Sequence, residues 1–203
     1  MKRSATAENG GTTGNPATPS SWHVGVAAEA IAAAQFARCG WDVSVQYGAN
    51  QPEYDLIIAK DDRLMKVSVK GSQDGSWGLT QSYLAKADYH GAVDHWLSCH
   101  GAKTMLCLVQ FKGVKLEELP RLYLALPSEI ATRLKDTAKG RGDTILYEKH
   151  DWGTRAHAAG TVERVPPDWE FSQARIERIA TSLWSPSDEV RAMPSGGGAG
   201  VRR

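Results

Sequence analysis

The sequence predicts an α/β domain with a mixed central sheet flanked by helices, in the core order αβββαβ, followed by a C-terminal helical extension. Three observations predict it. The chain of 203 residues is long enough for one domain with a sizeable core and too short for two ordinary domains with long tails. Segments that alternate apolar and polar residues, the mark of half-buried strands, interleave with segments of helical period. The crossovers between them are too few for a doubly wound parallel sheet, so a mixed sheet fits better.

Residues 1–20, rich in Gly, Thr, Ser, Ala and Pro, read as a disordered tail, and the basic Pro-Ser-Gly-rich stretch 194–203 as a second. The expected domain spans 21–149 and the extension 150–193. The first helix covers about 24–38, with Ser20 and Ser21 as candidate caps and Gly40 suited to a left-handed helix end. It is Ala-rich with almost no polar face, which predicts burial on most sides. Residues 41–47 alternate as a strand, 48–52 form a loop, and 54–59 form a second strand. Asp61 and Asp62 turn the chain into a third strand, 64–70, so the last two make a hairpin. A period of two puts Met65, Val67 and Val69 on its apolar face and Lys66, Ser68 and Lys70 on the other. Residues 71–80 read as a polar, Gly-rich loop with one exposed aromatic, Trp77. A helix at 87–99, the strongest strand at 104–111 and a strand at 122–126 follow. A helix then runs from Ser128 as cap to about 138, with a short strand at 144–147. An amphipathic helix over 171–184 closes the order through Phe171, Ile176, Ile179 and Leu183.

Composition narrows the function classes. Lys+Arg number 24 against Asp+Glu 23, so no global basic field attracts nucleic acid and any phosphate-binding surface must be local. Cys39, Cys99 and Cys107 are odd in number and lack Cys/His ligand spacing, which fits buried thiols in a reducing compartment and argues against zinc. No stretch approaches the roughly 18 apolar residues of a membrane span. The polar residues after Lys2 and Arg3 do not make a signal-peptide core, so the expected location is the cytoplasm, with no membrane partner.

Four positions could carry chemistry. Between Glu8 and Arg38 the only fully charged residue is Glu29, set among Ala28, Ala30, Ala32 and Ala33. It either marks the helix's one solvated stripe or is compensated by a cation. Asp55 opens a strand, where a carboxylate either caps a turn or points off the end of the sheet as a hard-oxygen ligand for Mg²⁺. Lys70 ends the third strand on the face of Ser68, either as a solvated edge charge or as an ammonium that holds a phosphate.

The combination is more specific than its members. A helix Glu29, a strand Asp55, a hairpin, and Val69-Lys70 followed by Gly71 resemble the PD-(D/E)XK nuclease superfamily, which includes restriction endonucleases and Holliday-junction resolvases. The segment Gly25-Val26-Ala27-Ala28-Glu29 is similar to the Gly-x-x-x-Glu element of the resolvase-like group. The resemblance covers about residues 22–126. It implies a restriction-endonuclease-like fold, Mg²⁺ or Mn²⁺ as cofactor, hydrolysis of phosphodiester bonds in DNA, and it admits a homodimer. By this resemblance Asp55 is the central metal ligand, Glu29 the acid that completes or supports the metal site, the Val69 carbonyl a further ligand, and Lys70 the family's lysine.

Ser68 departs from the pattern, because the family places an acid or sometimes Gln there. With Glu29 and Asp55 ionised and Lys70 protonated, the site carries about minus one, against about minus two with a carboxylate at Ser68. Three expectations stay open. Glu29 takes over the missing ligand, Glu53 reaches the site, or metal binding is lost and the fold serves as a nucleic-acid-binding or protein-interaction module.

Around this core, Lys66, Ser72, Gln73 and Trp77 are candidates for nucleic-acid contact. Trp77 either stacks on a base or pins its loop to the sheet. His90, His95 and His100, five apart, spread around a helix, which argues against a metal pair. Arg133, Lys135, Lys139 and Arg141, with Gly140 and Gly142, form a basic cluster suited to phosphate or to an ordinary solvated helix end.

Overall fold

The computed structural model describes residues 19–46 and 53–184. The expected tail 194–203, residues 1–18 of the other tail and the loop 48–52 lie outside the described residues.

Helix α1 (Ser21–Arg38) starts at Ser20, whose hydroxyl accepts the His23 backbone N–H at 3.4 Å, and stops before Gly40 at φ 77°. Val24, Ala28, Ala32 and Phe36, four residues apart, form its buried stripe. Its outer face, expected to be covered, is open: Trp22 is 69 % and Val26 47 % exposed. The many alanines account for the difference, since each leaves little apolar area to bury. Their small size also brings the helix close to the sheet.

Strands β1 (Asp42–Val45), β2 (Leu56–Lys60) and β3 (Arg63–Ser72) form an antiparallel meander. The chain continues through β4 (Ser76–Gly78) and α2 (Tyr89–Ser98) to β5 (Thr104–Gln110), which lies parallel to β3. A parallel neighbour needs such a crossover. Strand β6 (Arg121–Ala125) returns antiparallel, giving the order β1-β2-β3-β5-β6. Every residue of β5 is buried, which is why its apolar run is continuous instead of alternating.

The sheet packs on both faces. Met65, Val67, Val69, Met105, Cys107 and Val109 meet α1 and α4 (Gln173–Leu183) in one core cluster. Leu106 and Leu108 meet Val93 and Trp96 of α2 and Ile130 and Leu134 of α3 (Pro127–Asp136) in the other. Helix α4 is fixed by more than its apolar stripe. Phe171 meets Phe36 edge-on at 5.2 Å, the buried Arg175 donates to Leu124 O at 3.1 Å and to Glu129 at 2.6 Å, and Glu177 pairs with Lys60 and Arg63.

Several boundaries differ from the sequence expectations. The stretch 71–80 is not a free loop, because β3 runs on to Ser72 and β4 pairs with β7 (Ile145–Tyr147). Helix α2 begins at Tyr89, since Lys86 and Ala87 are left-handed (φ 50° and 60°) and Asp88 caps Gly91 at 2.9 Å. Ser128 lies inside α3. Pro127 takes the first helical position and Glu129 reaches back to the Leu126 N–H at 2.7 Å. The hairpin β8 (Lys149–Asp151) with β9 (Val162–Arg164) was not expected, being short and polar.

Candidate active site

The site forms where β2 stops and β3 does not. β2 pairs with β3 from Lys60 opposite Arg63 to Leu56 opposite Val67. Asp55 extends this by one backbone bond, its N–H donating to Val67 O at 2.9 Å. Among the described residues no strand pairs with the β2 side of β3 beyond Val67, and the Asp55 carboxylate accepts the Val69 N–H there at 2.6 Å. In a strand the N–H and C=O of one residue point to the same side. The Val69 carbonyl is therefore directed toward the same open edge as Asp55.

Glu29 is brought there by close packing of α1 on β3. At Gly71 a Cβ would stand 2.8 Å from Val24 O and 2.9 Å from the Ala28 Cβ, so only glycine allows this approach. Glu29, next to Ala28, is half-buried, and its carboxyl pKa is raised, first by burial and then by the negative charge of Asp55. The Lys70 ammonium pulls it back down. Glu29 therefore sits within electrostatic reach of both Asp55 and Lys70. Lys70 itself is exposed and its carbonyl accepts the Trp77 Nε1–H at 2.9 Å.

The residues suit a hard divalent cation. The carboxylates of Glu29 and Asp55 and the Val69 carbonyl are all oxygen donors, the kind Mg²⁺ or Mn²⁺ takes. A cation would relieve the repulsion that the Asp55 charge exerts on Glu29. Among the described residues no group of three or more His, Cys, Asp or Glu side chains gathers, so the acid count stops at two. Ser68 shares the Lys70 face, but it is only 1 % exposed, lying opposite Leu106 of β5. Glu53 is not the missing acid. It accepts the Gly101 N–H at 2.8 Å and pairs with Lys66 at 3.8 Å.

The surrounding candidates divide. Lys70, Ser72, Gln73 and Trp77 line one cavity of about 290 Å³ with Ser21 and Val24 of α1. Gln73 is exposed, and its side chain donates to Pro19 O at 3.1 Å. Ser72 is buried and donates to Asp74 at 3.0 Å. Burial alone would raise the Asp74 pKa, but bonds from Ser72 and Ser76 hold it below the ordinary value. Lys66 stands over the Tyr54 ring at 5.0 Å and faces Glu53, four residues from Lys70 along the strand.

Trp77 requires a correction. It is 3 % exposed and meets Tyr123 edge-on at 6.1 Å, so its ring is core and has no face to offer a base. Its role is the alternative one, pinning the chain after Lys70 to the sheet. The histidines also serve locally: His90 bonds Gly140 O at 3.0 Å and His100 bonds Trp96 O at 2.9 Å. Within the basic cluster, Arg133 pairs with Glu163 and Lys135 with Asp94, which leaves Lys139 and Arg141. Sequence reasoning missed Gly71 as a positioning residue, although a glycine directly after a strand's terminal lysine was the available signal.

A family model described as PD-(D/E)XK endonuclease matches residues 20–141. That span holds α1, the meander, α2, β5, β6 and α3, and the mixed sheet with helices on both faces is the restriction-endonuclease-like arrangement. No curated protein and no solved structure matches the chain.

Proposed function

The chain belongs to the PD-(D/E)XK endonuclease family, and from that premise we propose that it is a divalent-metal-dependent nuclease, using Mg²⁺ or Mn²⁺, that hydrolyses phosphodiester bonds in DNA. What supports this reading is that Asp55 and Lys70 both act on Glu29 and that Asp55 accepts the Val69 N–H at the open edge of β3. Asp55, Glu29 and the Val69 carbonyl would hold the cation, which supplies positive charge against the two carboxylates and against charge growing on the scissile phosphate. Lys70 binds a non-bridging phosphate oxygen and stabilises it as the bond breaks. Burial and the Asp55 charge raise the cost of ionising Glu29, a cost that the bound cation would offset. We assign the protein to the cytoplasm, since Cys39, Cys99 and Cys107 are free thiols, the form a reducing compartment maintains.

The test is cleavage of branched, duplex and single-stranded DNA in Mg²⁺ or Mn²⁺, with Asp55→Ala and Lys70→Ala alongside. Cleavage that is absent, or that survives both substitutions, rules the mechanism out.

A second reading rests on Ser68, buried where an acid is usual. It makes the protein a weakened or inactive member of the fold, acting as a nucleic-acid-binding or protein-interaction module. Calorimetric Mg²⁺ titration separates the two, because an inactive site shows no binding that depends on Asp55. Ser68→Glu, which adds the third carboxylate, should tighten Mg²⁺ binding about tenfold if the site is otherwise intact.

A further inference from the structure

The turn after α3 holds a backbone conformation that ordinary residues avoid. Ala138, Lys139 and Gly140 are consecutively left-handed at φ 55°, 57° and 83°, and Gly142 follows at φ 88°. Such a run persists only where its surroundings over-determine it, and it is characteristic of functional segments. The surroundings here are extensive. Ala138 N–H donates to Glu163 at 3.2 Å, Gly142 N–H to Thr137 O at 3.0 Å and Asp143 N–H to Leu134 O at 3.1 Å, while His90 bonds Gly140 O at 3.0 Å. At Gly142 a Cβ would meet Tyr89 Cβ and His90 Cδ2 at 3.0 Å. The result is to hold Lys139 and Arg141 out at the surface, both exposed.

Arg141 is framed by rings, its guanidinium 5.3 Å from the Tyr89 centroid and 6.0 Å from that of Trp152. A second left-handed pair, Lys86 and Ala87, precedes Tyr89 in the chain and exposes a third cation. Among the described residues no carboxylate lies within ion-pair distance of Lys86, Lys139 or Arg141, in contrast to Arg133 and Lys135. Asp88 and Asp143, two residues from Lys86 and Arg141, accept backbone N–H groups, Asp88 from Gly91 and Asp143 from Thr144 and Ile145, and the exposed Asp136 lies three residues before Lys139.

This surface leads to the cavity beside Lys70. Ser76 lines that cavity and lies opposite Tyr147 across the β4–β7 ladder. Tyr147 is 6.2 Å from Trp152, ring to ring. Arg141 is thus linked to the cavity wall through Trp152, Tyr147 and Ser76 in turn. Planar, aromatic-framed arginines and unpaired lysines are suited to phosphate.

We propose that Lys139 and Arg141, on the strained turn after α3, with Lys86 beside Tyr89, clamp the phosphate backbone of a DNA duplex flanking the bond at Lys70. The proposal rests on the nuclease reading for its choice of polyanion. It adds a contact surface, reaching onto the β7–β8 segment that lies beyond the family match, whose purpose is to fix the duplex and not to cut it.

The test reads binding separately from cleavage. A fluorescein-labelled 20-base-pair duplex is titrated with the full chain in EDTA, by anisotropy, over a salt series. Arg141→Ala should weaken binding about fivefold and lower the slope of log Kd against log salt by about one, and Lys139→Ala should do the same. Arg141→Lys, which keeps the charge on the same turn, should retain the slope, and Arg141→Gln checks the result should the alanine variant unfold in a thermal melt. Wild-type affinity and slope in the Arg141 and Lys139 variants overturn the proposal. So does a wild type that binds no duplex, or one that binds anionic vesicles through Arg141 while its duplex binding does not depend on that residue. A protein that binds through Arg141 but never cuts would remove the nuclease reading and leave the clamp. One that cuts with both slopes unchanged would do the reverse.

Discussion

The Asp55 carboxylate accepts the Val69 backbone N–H at 2.6 Å, taking the place on β3 that β2 vacates at Leu56. One side chain therefore completes a sheet edge and supplies an oxygen to the site. Asp55→Ala should abolish cleavage and cost about 1–2 kcal/mol by leaving the N–H unpaired. Asp55→Asn, whose amide oxygen can still accept that bond, should recover most of the stability and little of the activity. Urea unfolding beside cleavage assays distinguishes them. Full activity in the asparagine variant would contradict a metal-binding role.

Glu29 carries a pH signature. Its raised pKa means that the folded chain binds this proton more tightly than the unfolded chain does. Its penalty on stability is absent below the ordinary carboxylate range and develops as pH rises from there through the folded pKa. Glu29→Gln should remove the penalty, raising the Tm of metal-free protein at pH 7 by about 1–2 °C once screening of a half-exposed group is allowed for. The same change should reduce cleavage about 100-fold. For the wild type, Mg²⁺ should raise Tm more at pH 7 than at pH 5. A glutamine variant less stable than wild type at pH 7 without metal would refute this account.

Gly71 and Gly40 provide a matched pair. A Cβ at Gly71 meets the backbone of α1, whereas at Gly40 it meets nothing within 4 Å and is opposed only by φ 77°. Gly71→Ala should cost about 2–3 kcal/mol and lower cleavage sharply, because it pushes Glu29 away from Asp55. Gly40→Ala should cost about 1 kcal/mol and leave cleavage near wild type. Equal effects of the two on activity would show that the approach of α1 is not what positions the acid.

Trp77 tests pinning against stacking. Trp77→Phe keeps a buried ring but removes the Nε1–H bond to Lys70 O. It should cost about 1 kcal/mol and lower kcat several-fold with unchanged affinity for single-stranded DNA. A selective loss of single-strand affinity would restore the stacking role.

The elements that sequence revealed were those whose signal is local. Alternation in β3 fixed which of its side chains share a face, and the isolated Glu29 on an apolar helix marked a position whose role stayed open until Asp55 and Lys70 were set beside it. What stayed hidden depended on partners remote in sequence. Trp77 looked exposed among Gly and Ser because its burial is decided by Tyr123 and by the pairing of β4 with β7, some seventy residues later. Ser128 looked like a cap because the Glu129 bond to the Leu126 N–H has no separate sequence mark. Ser68 was correctly placed on the Lys70 face, but its enclosure beside Leu106 follows from β5, which the period of β3 cannot report.

Helix α4 gives the order of synthesis a consequence. Glu29, Asp55 and Lys70 are encoded early, but the sheet face beneath them is sealed jointly by α1 and by Ile176, Ile179 and Ala180 of α4. A ribosome that has delivered all three site residues has not yet delivered the lid of their core. The nascent chain carries the proposed site residues without the packing that aligns them, so their arrangement is completed only with the late helix anchored through Arg175.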